Sequence, residues 1–173
     1  HIFEPVYSSI LPETFDDRMK IRMVNPMEIF AAKGNALITR AAARDLYDWC
    51  NMLSEGLFEE QRDLFRKCFL FYMAISADTL NKSFDTSAID TLDFNKIRRD
   101  LFPVLNKKDN FQLDERKKIA KNYISDLMVL TTKEKEYLDR FEEKKYMPEL
   151  LFEDAEIVER VKNHPMALWK CKE

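Results

Sequence analysis

Five charged residues stand close together in the chain: Lys33, Arg40, Arg44, Asp45 and Asp48. Lys33, Leu37 and Arg40 follow an i, i+4, i+7 spacing, so on a helix they share one face. Asp45 and Asp48 are about one helical turn apart, and Arg44 stands four residues before Asp48, the spacing of a helical ion pair. Cations beside carboxylates can build a site for a phosphate group: lysine brings a point charge, arginine a planar fork. Spacing by itself favours a plainer reading. Lys33 is then a solvent-facing lysine on an amphipathic helix. The aspartates are acids favoured by a helix N-terminus, with Asp48 tied to Arg44.

The elements that carry these residues are legible. Asn25 is a good N-cap, Pro26 fits the first helical position, and Glu28 completes an Asn version of the capping box. The helix runs to about Arg40. A second helix runs from about Arg44 to Ser54, with Leu46, Trp49, Cys50 and Leu53 as its buried stripe, and Gly56 suits its end. Ala41-Ala42-Ala43 between them favours helix, so a fused single helix is also open.

The pattern Glu28, Lys33, Ala36-Leu37, Arg40, Arg44-Asp45-Leu46-Tyr47-Asp48 resembles the AbiEii/AbiGii nucleotidyltransferase toxins of abortive-infection and type IV toxin–antitoxin systems. A second block, Glu136-x-Leu138, Tyr146-x-Pro148-Glu149-Leu150-Leu151-Phe152 and His164-Pro165-x-x-x-Trp169, follows in the order the family has. The resemblance implies a break between the two helices and assigns roles. Lys33 and Asp45 become the catalytic pair, Lys33 and Arg40 the phosphate contacts, Arg44 and Asp48 their support. It implies NTP and Mg2+ as cofactors, with most of their ligands outside this chain.

Such transferases carry a Gly-Ser turn after a strand and then an Asp-x-Asp pair, because metal ions bridging a triphosphate need several oxygen ligands. The chain has two glycines, Gly34 and Gly56, and neither precedes a serine. Asp16 and Asp17 are adjacent, so on an extended segment they point to opposite faces. No residue is assigned to a metal. The expectation is therefore the C-terminal part of a larger enzyme, inactive alone, with the catalytic strands upstream of His1.

Composition sets the frame. The chain has 173 residues, 46% apolar and 34% charged, which fits one globular unit. Thirteen Phe and 8 Met against 2 Gly argue for helix packed on helix. A net charge of −3 gives no global basic field for nucleic acid. Cys50, Cys68 and Cys171 are odd in number and lack C-x-x-C spacing, so they read as reduced thiols of a cytoplasmic protein. No apolar run of about 20 residues is present, so no membrane is expected.

His1 to Thr14 reads as irregular. Met19 to Val24 alternates as a half-buried strand, with Met19, Ile21 and Met23 inward. Phe58 to Ala77 reads as the central helix, buried on several sides. Leu113 to Leu130 follows with Ile119, Tyr123, Ile124 and Leu127 inward. Thr131 and Glu134 form a capping box, Asp154 caps a helix ending before Pro165, and Leu168 and Trp169 anchor the tail. His164 reads as a structural cap. Lys117-Lys118-Lys121 and Arg62-Arg66-Lys67 read as solvated faces, with an RNA track as the sharper alternative.

The fold expectation is mainly α: a helical bundle over residues 26–173, preceded at 1–25 by a β remnant of a nucleotidyltransferase α/β core. The functional expectation is a toxin that moves a nucleotide from an NTP to an acceptor such as tRNA. Its partners are an N-terminal catalytic portion, an antitoxin and an RNA acceptor. The alternative is a non-catalytic helical module that binds an antitoxin or partner subunit.

Overall fold

The computed structural model describes residues 1–9, 20–76, 78–105 and 111–172. The Asp16-Asp17 pair, Met19 and the Lys107-Lys108 turn fall outside that set. The described chain is mainly α-helical with one short two-stranded sheet, as the composition implies.

Strands β1 (Val6–Ser9) and β2 (Lys20–Met23) pair antiparallel, with Val6 opposite Met23 and Ser9 opposite Lys20. The segment read as irregular thus contains a strand. Val6-Tyr7 supplies the β-favouring residues, and Pro5 sits just ahead of the strand, where no ladder donor is needed. The half-buried reading of β2 fails in part. Ile21 is 41% exposed, because a two-stranded ribbon offers no second layer to cover its face.

Helices α1 (Pro26–Thr39), α2 (Ala43–Ser54) and α3 (Arg62–Ser76) form the centre. Trp49 of α2 is fully buried among rings of Phe65, Phe69 and Tyr123, at centroid distances of 5.7, 6.1 and 6.1 Å. α3 is buried on several sides, with Phe65, Cys68, Phe69, Leu70, Phe71 and Met73 sealed from solvent. It starts four residues later than its apolar run suggests. Phe58 adopts a left-handed conformation (φ 69°) and Glu59–Gln61 make a 3-10 turn first.

Two short helices, α4 (Ser87–Asp90) and α5 (Phe94–Asp100), lead to a 3-10 turn at Phe102–Val104. Helix α6 (Leu113–Leu127) then packs on α2. Its buried row is Ala120, Ile124 and Leu127, an i, i+4, i+7 set, and this turns Ile119 outward against expectation. α7 (Thr132–Glu142) opens with the expected capping box, and α8 (Ala155–Val161) is capped by the Asp154 carboxylate. A last helix, α9 (Pro165–Lys172), begins where the proline was read as a stop, since proline suits the first helical turn. It docks through Ala167; Trp169 is 48% exposed and is no anchor.

Two buried acids tie the bundle. Glu28 does not close a capping box. Its carboxylate accepts from the backbone N–H of Ile2 (2.8 Å) and Phe3 (3.2 Å) and from the Tyr72 hydroxyl (2.5 Å). Glu134 keeps its box contact with the Thr131 N–H and also takes Arg66 Nε at 3.0 Å. Arg66 is therefore a buried tie between α3 and α7, and the expected basic face Arg62-Arg66-Lys67 is broken.

Candidate functional site

The site is built where α1 ends and α2 begins. Asn25 accepts from the Met27 N–H and Pro26 opens α1, which fixes the start of the helix. Gly34 then lets α1 approach α2 closely: a Cβ there would run into the Trp49 ring and lie 2.6 Å from Phe69 Cε2. Leu37 and Ile38 are buried, so the face carrying Lys33 and Arg40 is turned toward the opening of α2.

The helices are separate, not fused. The Arg40 and Ala41 N–H groups both return to the Ala36 carbonyl, and Ala41 adopts φ 48°, a left-handed helix end without glycine. Ala42 then takes an extended conformation, and the Leu46 N–H donates to its carbonyl to start α2. Asp45 falls in the first turn of α2, where the helix dipole favours an acid.

Lys33 and Asp45 do converge. Lys33 Nζ lies 2.6 Å from Asp48 Oδ2 and 3.8 Å from Asp45 Oδ1. The second oxygen of Asp45 is 3.4 Å from Arg40 Nη2. The Asp45 carboxylate is nearly buried, at 8% side-chain exposure, and stands between the two cations. Lys33 is half-buried and Arg40 is open to solvent at 70%. The four groups make a charge-balanced quartet on the wall of an open cleft of about 660 Å3. The Lys33–Asp48 pair is part-exposed on both sides and adds little stability, below about 1 kcal/mol. Its value to the fold is small.

The expected pairing of Arg44 with Asp48 is replaced. Arg44 Nε donates to the backbone carbonyl of Asp100 at 3.0 Å, while Asp48 serves Lys33. Arg44 thereby ties α2 to α5 and brings Arg99 and Asp100 to the cleft. These two were missed by sequence reasoning. They lie far along the chain, and the only local hint is the Arg98-Arg99 pair in the last turn of α5.

Asp45 and Asp48 do not form a cation site for a metal. Each already faces a side-chain cation, and among the described residues no cluster of three or more His, Cys, Asp or Glu could hold an ion. Mg2+ demands near-octahedral oxygen ligation, which this donor set does not fit.

A helical bundle with a Lys-Arg-Asp-Asp cleft at a helix junction is the geometry to compare. A family model described as nucleotidyl transferase AbiEii toxin, type IV TA system, matches residues 2–144, and the chain belongs to that family. The match takes in every cleft residue and ends before the Tyr146 to Trp169 block. No curated protein and no solved structure gives a match. Membership makes the protein a nucleotidyltransferase-like toxin and implies an antitoxin partner. The family's chemistry draws on NTP and Mg2+. Among the described residues no helix is long and apolar enough to cross a membrane.

Proposed function

We propose that this chain forms the helical part of an enzyme that transfers a nucleotide from an NTP to an acceptor hydroxyl, with the end of a tRNA as a fitting acceptor. The acceptor oxygen forms the new P–O bond at the α-phosphorus and loses its proton to solvent. The bond to the β-phosphate breaks, and diphosphate leaves. Lys33 and Arg40 hold the phosphates whose charge grows in that step. Asp45 is the positioning carboxylate that keeps both cations aimed. Asp48 holds Lys33 until a phosphate oxygen takes its place, and Arg44 fixes the wall opposite.

The observation that carries the reading is the convergence of Lys33 and Arg40 on one buried carboxylate at the rim of a large cleft. Since the donor set here does not fit Mg2+, we assign the metal carboxylates to another part of the complete protein. The β1–β2 hairpin supports a division at about residue 25. Two strands of 4 residues each are marginal alone, and exposed Tyr7 and Ile21 suit a sheet that continues.

The test uses the complete protein. Lys33→Ala abolishes incorporation of radiolabelled NTP into a tRNA pool, while thermal stability stays nearly unchanged. Full incorporation by the variant sinks the reading. Loss of folding makes Lys33 structural and leaves an antitoxin-binding module as the better description.

A further inference from the structure

Beside the cleft, α5 and the turn after it show an aromatic pair to solvent. Phe94 is 60% exposed and Phe102 is 39% exposed, and their rings meet edge to face at 5.6 Å. Large apolar side chains held together in water need a reason. Neither ring is needed for the core, which α5 enters through Ile97.

The position of the pair is fixed relative to the site. Asp100 closes α5, accepts Arg44 through its carbonyl and lines the cleft. Phe102 is two residues on, so its Cα lies within about 7.6 Å of that of Asp100. The surroundings are basic in a protein of net charge −3. α5 adds Lys96, Arg98 and Arg99 against Asp93 and Asp100. Arg99 pairs with its neighbour Asp100, Lys96 returns to the Thr91 carbonyl, and Arg98 is exposed.

We propose that Phe94 and Phe102 form a stacking platform for the unpaired terminal bases of a single-stranded RNA acceptor, whose backbone runs along Arg98 and Arg99 toward the Lys33–Asp45 cleft. The assignment rests on the transferase reading for the direction of the strand. Aromatic faces beside cations are the chemistry that holds single strands without sequence readout, since every base has a π-face. A protein partner would not need the cations to lead toward the cleft. The expected basic face Arg62-Arg66-Lys67 fits such a track less well, because Arg66 is buried on Glu134.

The probe is a fluorescein-labelled single-stranded oligoadenylate of about 10 nucleotides, followed by anisotropy with the complete protein. Wild type binds, and the affinity falls as salt rises. The double variant Phe94→Leu/Phe102→Leu keeps apolar bulk without a π-face and weakens binding by about tenfold or more, with an unchanged melting curve. Phe94→Tyr/Phe102→Tyr restores it. Loss of transfer in Lys33→Ala reports on the transferase reading, and loss of strand binding in the leucine variant reports on the platform, so the two readings fail separately. The platform is overturned if wild type does not bind the strand or if the leucine variant binds as wild type. It is also overturned if that variant keeps the strand but loses co-purifying antitoxin, which would make the rings a protein interface.

Discussion

The Glu28 carboxylate accepts the Tyr72 hydroxyl at 2.5 Å, and the same group caps the backbone N–H groups of Ile2 and Phe3. One buried acid of α1 thus joins α3 and the segment leading into the hairpin. Burial, then the hydrogen bond to Glu28, pushes the Tyr72 hydroxyl well above the ordinary phenol range. Glu28→Gln presents an amide N–H to donors that need an acceptor. A loss of about 2–3 kcal/mol in urea unfolding is expected, with faster hydrogen exchange at Ile2 and Phe3. Unchanged stability would show that the acid is replaceable by any polar group.

Gly34 sets the separation of α1 and α2. Gly34→Ala would gain about 1 kcal/mol of helix propensity if space allowed. Trp49 and Phe69 are fully buried, so neither ring can yield to the new methyl group. Overlap therefore wins, and a net destabilisation of about 1–3 kcal/mol is expected from a denaturant titration. The Lys33 amine moves with the helix, so under the proposed role of Lys33 phosphate binding weakens too. A more stable variant would refute the close approach.

His164 packs edge to face on Phe71 at 5.1 Å, and its Nδ1 is buried without a hydrogen-bond partner among the described residues. Burial lowers its pKa, opposed by the Glu28 carboxylate. The folded state therefore resists a proton that the unfolded chain accepts near the ordinary value of about 6.5. The unfolded chain binds more protons in that window, so stability is full above about 6.5 and declines as pH falls toward the depressed folded value. Urea midpoints measured from about pH 7.5 down to about pH 5 should fall. His164→Gln should flatten that decline, and an equally steep profile in the variant would place the effect elsewhere.

Much of this architecture could be read from local signals. The caps at Asn25, Thr131 and Asp154 were legible because capping is a contact within one turn. The shared face of Lys33 and Arg40 followed from helix periodicity. Choices set by distant partners were not legible. Glu28 had the right spacing for a box with Asn25, and only the fold shows that Tyr72 and the N-terminal amides take it. Arg44 had Asp48 within reach and found Asp100 instead, 56 residues away. Ile119 and Ala120 are neighbours on α6; hydrophobicity favours the larger, while the row that the fold buries runs through the smaller.

The tie between Arg44 and Asp100 reaches a main-chain carbonyl, not a side chain. Any residue at position 100 presents the same oxygen. This tie is thus indifferent to the side chain that position 100 displays. A change of the side chain at position 100 would alter what the cleft displays and leave this fastening in place.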